Sequence, residues 1–277
     1  MQLGYNTNGF GFHRVDDVVD ILAEIGYTCL ALTLDVHHLD PFQTRDAEYI
    51  ALGERLREHG MTCVIETGAR FILDPRRKHR PTLLDADPAK RREYLVRSMH
   101  VAKLLQAECV SYWSGALPND NTLTRKEMMH RLAHHVREIL QEADALKVKL
   151  AIEPEPGFFI ETMQDYEELC VDCKRPLGLT LDIGHLQCVE QEPPHVFIER
   201  YKSVLLNVQL DDMKEGVHQH LFFGAGEVDF PPVFEALKRI NYKGPACVEL
   251  SDASRNAVEV ATRAFDFLAP LADGEHE

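Results

Sequence analysis

Short apolar runs of strand length recur along the chain, and between them lie longer stretches in which apolar residues return every three or four positions. The runs are Gln2–Tyr5, Cys29–Leu34, Thr62–Glu66, Cys109–Trp113, Lys149–Glu153, Leu177–Asp182, Leu205–Gln209 and Ala246–Glu249. The stretches of helical period are Val15–Ile25, Ala47–His59, Pro88–Gln106, Arg125–Leu146, Gln164–Cys173, His195–Tyr201, Pro232–Ile240 and Arg255–Leu268. Start and stop signals agree with several of them. Thr124 with Glu127, and Thr162 with Asp165, have the spacing of a capping box. Pro231 and Pro232 suit a first helical turn, and Gly26, Gly60 and Gly244 stand where a left-handed closing residue is wanted.

Eight such alternations without a break in composition predict an α/β fold: a single (β/α)8 TIM barrel over residues 1–277, with its active site at the C-terminal face of the strands. An open doubly wound sheet is the alternative. It would more often carry a glycine fingerprint after its first strand, and Asn6-Thr7-Asn8-Gly9-Phe10-Gly11 is not one. The longest irregular stretch runs from Gly68 to about Asp87, the length of a lid or binding element.

Composition narrows the partners. A net charge of −15 argues against nucleic acid and against an anionic membrane surface, since both call for a basic face. No apolar run approaches the roughly 20 residues that cross a bilayer, and Met1-Gln2-Leu3-Gly4-Tyr5-Asn6 lacks the pattern of a signal peptide, so a cytoplasmic protein is expected. Cys29, Cys63, Cys109 and Cys247 fall in or beside strands and read as small buried hydrophobes. Cys170 and Cys173 have C-x-x-C spacing but no second pair to complete a zinc site.

The chemistry lies at the strand ends. Four runs in the second half finish on Glu153, Asp182, Gln209 and Glu249. Parallel neighbours would aim these side chains into one space, where three acids and an amide require a neutralising cation. The remaining ends offer Asn6 and Asn8, then Asp35, His37 and His38, then Glu66 and Arg70, and lastly Trp113. Acids at strand ends more often cap the next helix, but capping alone does not explain so many polar ends together. In Leu181-Asp182-Ile183-Gly184-His185, Gly184 permits a tight turn that lets His185 fold back over the mouth. Asp211 and Asp212 precede Val217-His218-Gln219-His220, in which both histidines face one side if the segment is extended.

These acids, the Leu-Asp-x-Gly-His segment, the Gly224-Ala225-Gly226-Glu227-Val228-Asp229-Phe230 stretch and the Gly244-Pro245-x-x-Val248-Glu249 strand resemble the xylose isomerase-like TIM-barrel superfamily, and within it the sugar phosphate isomerase/epimerase branch. The resemblance implies one divalent metal held by Glu153, Asp182, Gln209 and Glu249. It also implies that Glu153 and Glu249 act as acid/base catalysts and that His185 contacts substrate. Gln209 stands where that branch usually has histidine. The ligand set is then all oxygen, which favours Mn²⁺ or Mg²⁺ over Zn²⁺ or Co²⁺ unless a histidine supplies nitrogen. The expected substrate-binding residues are His185, His220, His218, Glu66, Arg70, Trp113, Asn6 and His37.

The expected activity is a metal-dependent isomerase or epimerase acting on a sugar, sugar phosphate or keto-polyol through an enediolate. The alternatives are a dehydratase of a cyclic keto-polyol, and an endonuclease IV-like repair enzyme, which the acidic balance disfavours. Arg76-Arg77-Lys78-His79-Arg80 in the long irregular stretch is a candidate to close over an anionic group, against the plainer reading of a solvated surface or subunit contact. Trp113, the sole tryptophan, reads as an apolar wall against a sugar or as core. The partner expected is a small sugar or polyol; homo-oligomerisation is left open.

Overall fold

A computed structural model describes residues 1–274; the expected span of 1–277 ends outside them. The strands are β1 (Gln2–Asn6), β2 (Cys29–Thr33), β3 (Thr62–Glu66), β4 (Val110–Tyr112), β5 (Leu150–Ile152), β6 (Gly178–Asp182), β7 (Leu205–Leu210), β8 (Asp212–Lys214), β9 (Val217–Leu221) and β10 (Pro245–Val248). The helices are α1 (Val15–Ile25), α2 (Asp46–Glu58), α3 (Ala89–Leu105), α4 (Arg125–Leu146), α5 (Met163–Cys173), α6 (Ile183–Val189), α7 (Pro194–Arg200), α8 (Phe230–Arg239) and α9 (Ala257–Asp273). Eight parallel strands close in the order β1-β10-β7-β6-β5-β4-β3-β2, and β8 and β9 form a separate antiparallel hairpin. The barrel expected from the sequence is the one observed. Among the described residues no helix is long and apolar enough to cross a membrane.

Alternation along the strands sorts their side chains into two layers. In β2, Leu30 and Leu32 join the large cluster between strands and helices, while Cys29 and Ala31 join a small one with Val64, Cys109, Ala151 and Cys247. These cysteines do act as small hydrophobes, and none is in a disulfide. Gly4 makes room between two of them: a Cβ there would stand 2.5 Å from Cys247 Sγ and 2.9 Å from the Cys29 carbonyl. Small residues in the interior leave the upper end of the barrel for polar groups.

Both expected capping boxes are present, at Thr124 with Glu127 and at Thr162 with Asp165. Gly26 closes α1 with φ at 117°. Other expectations need correction. Asn241 (φ 54°), not Gly244, takes the left-handed position after α8. Gly184 is not in a turn: α6 starts directly after Asp182, whose carboxylate caps it by accepting from His185 N–H at 2.8 Å. Glycine is needed there because a Cβ would lie 2.1 Å from Asp211 Oδ1 and 2.7 Å from Met213 Cγ. The β8–β9 hairpin was not anticipated as strands.

The segment after β3 carries no regular element from Thr67 to Pro88, as expected, yet it is firmly held. Arg91, a fully buried residue of α3, donates to the carbonyls of Pro81 (3.0 Å), Thr67 (3.3 Å) and His79 (2.9 Å). Its guanidinium also lies 4.4 Å from the centroid of the Trp113 ring. Burial lowers its pKa to about 10, so it stays charged at neutral pH. Replacing Arg91 by Leu leaves three carbonyls without their donor and should cost about 3 kcal/mol or more. Chemical denaturation of the Arg91→Leu variant, beside its far-ultraviolet dichroism, checks this; an unchanged midpoint would refute it.

Candidate active site

The strand ends surround a cavity of about 380 Å³. Its lining includes Asn6, Asn8, Glu66, Arg70, Trp113, Glu153, His185, Gln209, His218, His220 and Glu249, all singled out in the sequence. Glu153 and Glu249 sit one residue past the assigned ends of β5 and β10. Their N–H groups still continue the ladders, to Tyr112 O at 2.8 Å and Leu210 O at 3.0 Å. Asp182 ends β6 and is buried beside them. His37 is placed elsewhere: it is exposed and lies outside the cavity lining.

Several acids share this space, and the fold answers with amides and imidazoles. Asn8 Nδ2 donates to Glu249 Oε1 at 2.7 Å, and Asn207 Nδ2 donates to Glu66 Oε1 at 3.0 Å. Asn6 Oδ1 accepts from the Asn8 N–H (3.0 Å) and from Thr33 Oγ1 (2.6 Å), which fixes the turn that carries Asn8. Burial, then the charge of Glu249, pushes Glu66 up to about 8. The same two causes lift Glu153 well above the ordinary carboxylate range. For Asp182 burial acts the same way, but His185 and His220 outweigh it and hold its pKa low.

Asp211 and Asp212, adjacent in sequence, serve different structures. Asp212 accepts from the N–H groups of Gly224 (2.8 Å), Gly226 (2.8 Å) and Val228 (3.0 Å). The glycine-rich stretch therefore wraps that carboxylate, and a Cβ on Gly226 would stand 2.3 Å from Asp212 Oδ1. Asp211 instead bonds His220 Nδ1. Burial opposes a charge on His220, but Asp211, with Glu249 and Asp182 behind it, raises its pKa to about 10. Burial lowers His185 to about 4, so its ring is neutral near pH 7.

Some site residues were not picked out in the sequence. Glu155 lines the cavity, and burial together with Glu249 lifts it to about 8. It follows Pro154 in what reads as loop, so only its nearness to Glu153 could have signalled it. Of the basic run, Lys78 and His79 reach the lining, whereas Arg77 pairs with Asp74 and Arg80 pairs with Asp85. Arg70 stands 3.5 Å from Asp35. Trp113 is buried, with Phe158 at 5.0 Å and His79 at 5.1 Å between ring centroids, and it forms an apolar part of the wall.

The donor set suits a cation. Asp182 Oδ2, Gln209 Oε1 and Asp211 Oδ1 are buried acceptors with no hydrogen-bond donor. Such atoms are costly unless something positive meets them. Glu153, Asp182 and His185 offer ligand atoms within 4.8 Å of one another, as do Asp182, Asp211 and His220. Among the described residues Glu249 belongs to no cluster that tight, and Asp182, buried beside His185, lies outside the cavity lining. The all-oxygen set expected from the sequence thus has histidines close at hand.

A family model described as xylose isomerase-like TIM barrel matches residues 19–271. The chain is 27% identical over 158 residues to an uncharacterized protein, MJ1311, of Methanocaldococcus jannaschii, covering 52% of this chain and 51% of that protein. It is 24% identical over 188 residues to the inosose dehydratase of Glaesserella parasuis, covering 60% and 63%. Each match thus spans less than two thirds of the relative's length. Among solved structures, an L-ribulose 3-epimerase superposes with a TM-score of 0.79 at 17% identity, over 99% of this chain and 95% of that one. The IolI protein with a bound zinc atom gives 0.76 at 16% identity, covering both chains fully.

The Asp211–His220 pair yields a direct expectation. In metal-free protein His220 should titrate near pH 10, and Asp211→Asn should bring its midpoint down toward the ordinary histidine value. Nitrogen NMR of the imidazole ring reads both, and an unmoved midpoint in the variant would show that Asp211 does not hold the proton there.

Proposed function

The chain belongs to the xylose isomerase-like TIM-barrel family, and from that premise we propose that it is a divalent-metal-dependent isomerase or epimerase of a sugar, sugar phosphate or related keto-polyol. One observation carries the reading. Two glutamates, three steps apart round the closed strand order, face a single cavity lined also by Gln209, and buried oxygens of Gln209 and of Asp182, its register partner on β6, lack donors.

Glu153, Asp182, Gln209 and Glu249 would hold the cation, with His185 near enough to add nitrogen. Mn²⁺ and Mg²⁺ suit the oxygens, and Zn²⁺ or Co²⁺ gains from the imidazole. The cation supplies positive charge beside neighbouring substrate oxygens as negative charge develops on them. The protein's own groups do the rest. Glu249 is oriented by Asn8, which occupies Oε1 and leaves Oε2 to work on a proton of the carbon next to a carbonyl. Glu153, whose pKa burial and then the charge of Glu249 raise, is suited to exchange a proton from the other side. Return to the same carbon gives an epimer, and return to its neighbour an aldose–ketose pair. Trp113 offers an apolar wall to one face of a sugar, and Arg70 and Lys78 place positive charge among the lining residues.

A second reading has its own support: the similarity to an inosose dehydratase. The first proton abstraction is the same, followed by loss of a hydroxyl group as water. Glu66 and Glu155, both raised to about 8, carry protons at neutral pH that such a step consumes.

Solvent-deuterium exchange over ketoses, cyclitols and hydroxypyruvate reports the shared first step, and product analysis separates isomer, epimer and dehydrated product. Glu249→Gln should slow exchange about 10²–10⁴-fold. Chelation should abolish exchange, and a divalent ion should restore it. Near-normal turnover in Glu249→Gln, or undiminished activity in metal-free protein, would refute the proposal.

A further inference from the structure

His185, His218 and His220 stand together on one wall of the cavity, each offering a ring nitrogen within 4.8 Å of the other two. Ring centroids lie 5.0 Å apart for His185 and His218, 5.7 Å for His185 and His220, and 5.5 Å for His218 and His220. Two of the rings already have one nitrogen committed. His185 Nδ1 faces the Pro154 carbonyl at 3.3 Å and Glu153 Oε1 at 3.5 Å, while its Nε2 is buried without any hydrogen-bond partner. His220 Nδ1 is taken by Asp211.

That is how metal-binding histidines are normally held. The N–H on one side donates to a carbonyl or carboxylate, which fixes the tautomer and frees the lone pair on the other. The orphaned Nε2 of His185 then has a reason to be buried: it awaits a ligand rather than a donor. Asp182 Oδ2, also without a partner, lies 3.8 Å from that nitrogen.

We infer that His185, His218 and His220 form a nitrogen-donor site for a borderline transition-metal ion, adjoining the carboxylate site of the proposed reaction at His185. Imidazoles suit Zn²⁺, Cu²⁺ and Ni²⁺, whereas Mg²⁺ and Mn²⁺ are better served by oxygens. Three protein nitrogens leave a fourth position open for water or a substrate oxygen. Glu153 Oε1 and Asp182 Oδ2 both lie close to His185, so the two sites meet at that ring.

Metal-free protein titrated with Cu²⁺ and read by pulsed EPR should show three imidazoles on one ion. His218 is exposed, so His218→Ala should fold normally, show two imidazoles and bind at least about tenfold more weakly. Asp211→Asn should keep three imidazoles and weaken binding about 10–100-fold. Glu249→Gln should keep the full imidazole signal, so a failure of the proposed reaction in that variant is distinguishable from a failure of this site. Oxygen-only coordination in the parent protein would overturn the inference. So would an imidazole count unchanged in His218→Ala, as ions held by His134 and His135 on α4 would give.

Discussion

The upper end of this barrel crowds together more carboxyl groups than its own donors satisfy. Glu66, Glu153, Glu155, Asp182, Asp211 and Glu249 come from different elements and act on one another strongly enough to move each other's protonation. Much of the surrounding polar structure is a response to that constraint. Asn8 and Asn207 donate to two of the carboxylates, His220 pairs with a third, and the capping of α6 engages one oxygen of Asp182. What remains unsatisfied includes the acceptor oxygens Asp182 Oδ2, Gln209 Oε1 and Asp211 Oδ1, which no donor meets. A cation is the simplest object that meets oxygens of this kind.

The two acids after β7 show how finely that charge is divided. Asp212 is consumed by three backbone N–H groups and shapes the glycine-rich loop, while Asp211 faces inward and fixes a histidine. Arg91 plays the comparable part on the opposite side. It ties the long segment after β3 through three carbonyls and supports Trp113 from beneath. One wall is therefore organised around a buried anion and the other around a buried cation.

The barrel itself was legible in the sequence because its strands are buried on both faces. Runs such as Cys29–Thr33 are nearly continuous in apolar residues, and the strand ends mark where the functional groups must be. Elements that do not follow a burial pattern were missed. The strand Val217–Leu221 is largely exposed and pairs only with Asp212–Lys214, so no apolar run announces it; Gly216, at φ 68°, is the one local sign of its turn. Helix Ile183–Val189 was hidden because Asp182 both ends a strand and caps a helix, leaving no loop between them. Arg91 was not picked out, since sequence cannot tell an arginine facing water from one facing three carbonyls. His37, adjacent to the buried His38, illustrates the converse: at a strand end one position decides inside from outside.

The β8–β9 hairpin stands outside the closed ladder and contributes two of the clustered histidines through a strand whose remaining residues face largely outward. Barrel folding and imidazole supply are thus entrusted to separate stretches of chain. Natural selection can rewrite those few positions, exchanging nitrogen for oxygen or removing both, while the scaffold beneath keeps its shape. Divergence of reactivity among proteins built on this plan has an inexpensive route through a single short ribbon.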